Sequence, residues 1–127
     1  MRKGPAMLIR RLKDCHEITA GDNSVLRELL HPDRGYPFTR RYSLAHATVE
    51  SGQSTLKHCL ESSEVYYVIA GEAEMHVGKE TARITVGDAV EIPAGSVQWV
   101  RNTGSEAFVF LCIVDPAWRP KDEQVVD

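Results

Sequence analysis

The stretch that decides the fold is residues 52–71, which read GQSTLKHCLESSEVYYVIAG. His58 and Leu60 stand two positions apart on a predicted strand, so their side chains point to the same face. Glu64 opens the next predicted strand after a short connection. A hairpin of this kind brings an imidazole and a carboxylate together, and such a pair suits a divalent metal that also holds a substrate.

A second stretch, residues 87–102, reads GDAVEIPAGSVQWVRN. Gly87, Pro93 and Gly95 predict a tight turn into the strand that presents Gln98. The side-chain carbonyl of Gln98 can coordinate a metal, although it binds transition metals more weakly than an imidazole does.

From residue 40 onward the sequence consists of short runs of β-forming residues, which are typical of strands. Glycine and proline turns separate them at intervals of roughly 8–12 residues. This pattern predicts an all-β sandwich or barrel. Residues 65–70 and 107–114 are apolar on both faces. One face can line the interior, and a second subunit is the simplest cover for the other, so we expect a homodimer.

Composition excludes several classes of protein. The 127 residues carry a net charge of -3 and fit a single domain over residues 1–127. The mildly acidic balance speaks against a nucleic-acid partner. The longest apolar run, residues 107–114, is far shorter than the ~20 residues of a membrane span, so no membrane partner is expected.

The number and spacing of the cysteines indicate the cellular compartment of the protein. Cys15, Cys59 and Cys112 are an odd number without Cys-x-x-Cys spacing, which predicts a reducing cytoplasm rather than a disulfide framework. The opening residues have charges but no long apolar core, so we expect no secretory signal.

The two ends of the chain are harder to interpret. Residues 22–30 fit either a capped helix or an edge strand leading into His31. The remaining N-terminal arm is predicted to be irregular. Residues 115–127 are rich in proline and charge, which predicts an irregular tail with Trp118 as its packing anchor.

Together the two stretches resemble the paired motifs of the cupin superfamily, G-x5-H-x-H-x3,4-E-x6-G and G-x5-P-x-G-x2-H-x3-N. The matching residues, all at the family's spacing, are Gly52, His58, Glu64 and Gly71, then Gly87, Pro93, Gly95 and Asn102. The resemblance covers residues 40–115 and is closest to the small single-domain cupins of type 2, which are often named after mannose-6-phosphate isomerase. It implies a jelly-roll barrel, also called a double-stranded β-helix, and frequent pairing into dimers.

The resemblance also implies a metal site with an altered ligand set. Family members with a full site usually supply three histidines and one glutamate, whereas this chain has Leu60 and Gln98 at two of the histidine positions. The remaining set is His58, Glu64 and Gln98, for which Mn, Fe, Ni or Zn are the candidate ions. His46, one strand earlier, is an alternative ligand or a structural residue.

Further site residues follow from strand parity. Glu64 in an apolar cavity needs a cation, a donor or water, which makes it the candidate general base. Tyr66 shares its face and is the candidate acid. Phe110 and Cys112 share one face of a later strand, and the resemblance implies that this face looks inward, towards a substrate.

Three functions remain open at this point. The first is a metal-supported site for a small molecule, held by the atypical His/Glu/Gln set. The second is a metal-free sugar isomerase or epimerase that uses His58 or Glu64 as base and Tyr66 as acid. The third is a non-catalytic module that binds a small ligand. Whether the protein is an enzyme is left open by the sequence.

Overall fold

A computed structural model describes residues 7–127, and their regular secondary structure is almost entirely β. The eleven strands, in chain order, are β1 (Glu17–Thr19), β2 (Val25–Leu30), β3 (Ser43–Val49), β4 (His58–Leu60), β5 (Ser63–Ala70), β6 (Glu72–Val77), β7 (Glu80–Thr85), β8 (Ala89–Ile92), β9 (Gln98–Asn102), β10 (Phe108–Asp115) and β11 (Glu123–Val125). Two 3-10 turns, Leu12–Asp14 and Pro120–Asp122, complete the regular structure. No helix among these residues has the length and apolarity that crossing a membrane requires.

The strands form two antiparallel sheets. The six-stranded sheet has the order β1-β2-β3-β10-β5-β8, and the five-stranded sheet has the order β11-β4-β9-β6-β7. Strands that are distant in sequence, such as β3 and β10, lie side by side in each sheet, so the predicted all-β jelly roll is confirmed. Among residues 7–127 no pair of strands joins the two sheets by backbone hydrogen bonds, so the barrel is not closed.

Side-chain alternation along the central strands builds the core. On β5, Glu64, Tyr66 and Val68 point inward and are buried, whereas Tyr67 and Ile69 are exposed on the outer face. The eight residues of β10 alternate in the same way between buried and more accessible positions. The inward faces meet in one cluster of aliphatic and aromatic side chains between the sheets.

The N-terminal arm is more regular than the sequence predicts. Residues 25–30 form β2 rather than a helix, because they pair with β3 along its length and extend the larger sheet. β1 pairs in turn with β2. Between these two strands lies a tight turn over residues 20–24, in which the Ala20 N–H donates to the carbonyl of Ser24 at 2.9 Å and Asn23 has a positive φ of 74°.

The tail is also partly regular. β11 pairs with β4 and so becomes the edge of the five-stranded sheet. Trp118 packs against the core as predicted. The turn at 20–24 therefore lies beside the residues that lead into β4, and the tail lies along β4 itself.

Candidate metal and ligand site

A cavity lies between the sheets, with a volume of about 30 Å³. That space is large enough for about two water molecules, or for a cation with about one water. Apolar side chains, including Leu60 and Phe110, form much of the wall. Four carboxylates and one imidazole also line it: Asp22, Glu28, Glu64, Glu123 and His58.

His58 on β4 is the imidazole at the centre of this site, and only 3% of it is exposed. Its Nδ1 lies 2.7 Å from the backbone carbonyl of Leu56. Because a carbonyl only accepts hydrogen bonds, Nδ1 carries a proton, and Nε2 is the ring nitrogen that faces the carboxylates. Nε2 faces Oδ2 of Asp22 at 3.4 Å and Oε2 of Glu123 at 3.9 Å.

Asp22 is fixed in place by the turn that carries it. Its Oδ1 accepts hydrogen bonds from the backbone N–H of Ser24 at 3.0 Å and from the Ser24 hydroxyl at 2.6 Å. The carbonyl of Asp22 accepts a hydrogen bond from the Leu56 N–H at 2.8 Å. These bonds occupy one carboxylate oxygen and leave the other directed at His58.

Glu123 is held in a similar manner by its own surroundings. Its Oε1 accepts a hydrogen bond from Nε1 of Trp118 at 3.3 Å, and Gly21 also donates its backbone N–H to the carboxylate. Burial raises the pKa of Glu123, and the nearby charge of Asp22 raises it further.

These three residues converge as metal ligands do. The ligand atoms of Asp22, His58 and Glu123 all lie within 4.8 Å of one another. Each offers one ligand atom, and a His with two carboxylates matches the mixed nitrogen and oxygen preference of divalent transition metals. A metal-bound histidine usually donates its other ring N–H to a carboxylate, a backbone carbonyl or water, and the hydrogen bond from Nδ1 to the Leu56 carbonyl is of this kind.

Glu64 belongs to a hydrogen-bonded network beside these ligands. Its Oε1 accepts a hydrogen bond from Nε2 of Gln98 at 2.5 Å, and its Oε2 accepts one from the thiol of Cys112 at 3.1 Å. Tyr66 donates its hydroxyl to the other end of the Gln98 amide at 2.9 Å. The chain of contacts therefore runs from Tyr66 through Gln98 and Glu64 to Cys112.

Burial controls protonation in this network. It raises the pKa of Glu64, although the hydrogen bonds from Cys112 and Gln98 and the charge of His58 act in the opposite direction. Burial, and then the charge of Glu64, also raise the pKa values of Tyr66 and Cys112 well above their ordinary ranges. Cys112 is therefore a neutral thiol that donates a hydrogen bond, not a thiolate.

The structure divides the predicted ligand set of His58, Glu64 and Gln98. Glu64 and Gln98 are bonded to each other, whereas His58 faces two carboxylates that the motifs do not include. Phe110 and Cys112 both line the cavity, on the inward face that the resemblance to cupins implies. His46 lies on the outer face of β3, between its cross-strand neighbours Leu111 and Arg27, and so cannot serve as a lumen ligand.

Asp22 and Glu123 are the site residues that sequence reasoning missed. The sequence suggests a helix cap for Asp22 and an irregular tail around Glu123. Neither residue is predicted as a ligand, because both lie outside residues 40–115, which the resemblance covers. One signal was present, since Gly21-Asp22-Asn23-Ser24 is typical of a turn in which an aspartate side chain bonds to the backbone.

Comparison with known proteins agrees with this architecture. Residues 45–114 match the family described as "Cupin domain". An uncharacterized protein of Methanocaldococcus jannaschii is 32% identical over 109 residues, which cover 84% of each chain.

Two solved structures share the fold at lower identity. A Cupin 2 conserved barrel domain protein from Salinispora arenicola is 23% identical, with a TM-score of 0.74 over 87% of this chain and 89% of that one. A predicted oxalate decarboxylase from Thermotoga maritima is 20% identical, with a TM-score of 0.71 over 86% of this chain and 99% of that one. With the motif spacing, the two-sheet architecture and the matched residues in agreement, this chain belongs to the cupin family.

Proposed function

We propose that this cupin binds a small molecule in its barrel with the support of a divalent cation held by Asp22, His58 and Glu123. One observation carries the proposal. Nε2 of His58 and one oxygen from each carboxylate lie within 4.8 Å of one another, while the other oxygen of each carboxylate already accepts a hydrogen bond.

The charges of the cavity favour a cation at this point. Among the carboxylates that line it, Glu28 is matched by Arg34, whose Nε donates to it at 2.8 Å. Asp22 and Glu123 have His58 as their common neighbour. A divalent ion would balance these two carboxylates, and removing two like charges from water is costly without such compensation.

The donor set restricts the choice of ion. One imidazole and two carboxylates suit Mn, Fe, Ni or Zn, whereas Ca²⁺ and Mg²⁺ prefer oxygen ligands alone. When bound, such an ion would polarise a ligand oxygen or lower the pKa of a bound water.

In this proposal Glu64 exchanges a proton with a ligand in the cavity. Its raised pKa keeps it closer to the working range of an acid or base at neutral pH than an exposed glutamate. In this proposal Tyr66 is the second proton-carrying group, and Gln98 is a positioning residue because its amide links Tyr66 to Glu64. Phe110 and Cys112 form the adjoining wall, against which the ligand packs.

We further propose that two copies pair through the outer face of the larger sheet. Tyr67, Ile69 and Ile113 lie on the outer faces of the neighbouring strands β5 and β10 and are 45%, 40% and 41% exposed. Adjacent apolar side chains of this kind favour a self-complementary contact with two-fold symmetry. The unpaired Cys15, Cys59 and Cys112 support a cytoplasmic location.

Titration calorimetry of chelator-treated protein with Mn²⁺ and with Zn²⁺ tests the cation site. We expect one ion per chain for the wild type. Asp22→Asn should weaken binding by about tenfold or more, because even outer-shell partners of a metal contribute that much. Asp14→Asn, an exposed acidic position away from the cavity, is the matched control and should bind as the wild type does.

Two results of the calorimetry would contradict the cation site. If neither ion binds, or if Asp22→Asn binds as the wild type does, these three side chains do not form a cation site. The cation proposal would then be wrong.

A further inference from the structure

The strand β11 is a short wall of the cavity at the edge of a sheet. It has three residues at the edge of the smaller sheet, and the side chains of Gln124 and Val125 are exposed. Besides its ladder with β4, the backbone on either side contributes two hydrogen bonds, from Glu61 N–H to the Asp122 carbonyl and from Val126 N–H to the Lys57 carbonyl. Segments with so little apolar burial open locally at low free energy.

The buried side chain of β11 is a carboxylate rather than an apolar group. Only 6% of the Glu123 side chain is exposed, and it lies beside Asp22 across the same imidazole. Without a cation, the two like charges oppose the docking of β11. With a cation between them, the same side chain becomes the attachment point of the strand.

We propose that the cation controls the docking of β11, so that this strand acts as a metal-dependent cover of the barrel site. The inference rests on the cation site proposed above. It follows because the three ligands come from three separate parts of the chain: the turn at 20–24, β4 and β11. An ion that binds all three ties the last strand to the turn before β2.

The size of the cavity explains what such a cover would do. A space of about 30 Å³ holds a cation with about one water, but not a substrate of several atoms. Displacement of β11 removes Glu123 from the wall and uncovers the edge of β4, where His58 lies. Larger ligands would therefore bind while β11 is open, and the cation would favour the return of the strand once they have left.

Linkage sets the size of the expected effect. If the open form loses the cation, then at a cation concentration of 100 times its Kd the population with β11 open falls by about 100-fold. The effect is smaller if Asp22 and His58 retain the ion when β11 opens. Amide exchange measures this population directly.

The test is hydrogen exchange of the full chain, followed by mass spectrometry, in chelator and in Mn²⁺ at 100 times the Kd from calorimetry. We expect Mn²⁺ to slow exchange at residues 123–126 by up to about 100-fold. β7 (Glu80–Thr85) is the internal control, because it is the opposite edge of the same sheet and has no residue in the site. Local exchange of β7 should be unchanged.

Two variants separate the possible outcomes. Glu123→Gln should retain weakened Mn²⁺ binding and lose the slowing at 123–126, whereas Glu106→Gln, at an exposed position, should behave as the wild type. If Mn²⁺ binds to the wild type and exchange at 123–126 is unchanged, or if Glu123→Gln keeps the slowing, the inference is overturned and the cation site stands. If calorimetry detects no binding, the cation site fails and the inference fails with it.

Discussion

Oδ2 of Asp22 lies 3.4 Å from Nε2 of His58, and the backbone of one residue, Leu56, contacts both. The N–H of Leu56 donates to the backbone carbonyl of Asp22, and the carbonyl of Leu56 accepts from Nδ1 of His58. The turn before β2 and the imidazole on β4 are thus held in register by backbone groups. A preformed arrangement of this kind lowers the cost of binding an ion, because its ligands need little reorganisation.

The connection between β5 and β6 is expected to be intolerant of a side chain. Gly71 has a φ of +80°, and a Cβ at this position would lie 2.6 Å from the carbonyl oxygen of Ala107. Gly52 has nearly the same φ, +78°, but has nothing within 4 Å of the corresponding point. Gly52→Ala should lower the free energy of unfolding by about 1–2 kcal/mol through backbone strain alone. Gly71→Ala should cost about 1–3 kcal/mol more because of the clash.

Urea unfolding of the two alanine variants separates these contributions, since they share the backbone conformation. Equal losses of stability would show that Ala107 does not approach Gly71 as closely as the structure indicates.

The buried carboxyl of Glu64 should give the chelator-treated protein a characteristic pH dependence. Burial raises the pKa of Glu64 above its value in the unfolded chain. Stability from a raised pKa is fully present below the unfolded pKa and is lost as the pH rises through the folded pKa. Glu64→Gln removes this loss, so the variant should resist urea better than the wild type at pH 8.

The advantage of Glu64→Gln should shrink as the pH falls toward about 4, where the unfolded-state carboxyl is itself protonated. Glu106→Gln is the matched control, since it changes an exposed carboxylate. A constant difference between Glu64→Gln and wild type across this range would mean that Glu64 titrates as an ordinary surface glutamate.

How far the sequence could predict this molecule depends on the kind of contact. The period of two along β5 and β10 was enough to place Tyr66 on one face with Glu64 and Phe110 on one face with Cys112, and the resemblance to cupins implied that the second of these faces looks inward. Pairing partners were not predictable for the N-terminal arm, where β2 forms because β3 offers it an edge. Local periodicity contains no information of this kind about distant strands.

The same reasoning explains why part of the site was missed. Glu123 reaches His58 because β11 pairs with β4 in a register that sets Glu123 opposite Leu60. Asp22 reaches it through the backbone contacts of Leu56. Neither contact can be recognised from residue spacing. The spacing from His58 to Glu64, near the start of β5, can be recognised because it belongs to a known motif.

The outer face of the larger sheet should control the oligomeric state. Ile113→Asp places a charge at the centre of the proposed contact and should convert a dimer into a monomer in light scattering coupled to size exclusion. Val86→Asp is the control, because Val86 is an exposed apolar residue just after β7 of the other sheet and is 59% accessible. A wild-type chain that elutes as a monomer, or an Ile113→Asp variant that remains a dimer, would contradict this interface.

The central claim is that a divalent cation lies between Asp22, His58 and Glu123. Its most direct test is a crystal structure of the Mn²⁺-loaded or Zn²⁺-loaded protein, with diffraction recorded on both sides of the metal absorption edge. The account predicts an anomalous peak within coordination distance, about 2.0–2.2 Å, of Nε2 of His58 and of one oxygen from each carboxylate. A peak between Glu64 and Gln98 instead, or no peak inside the barrel, would contradict it.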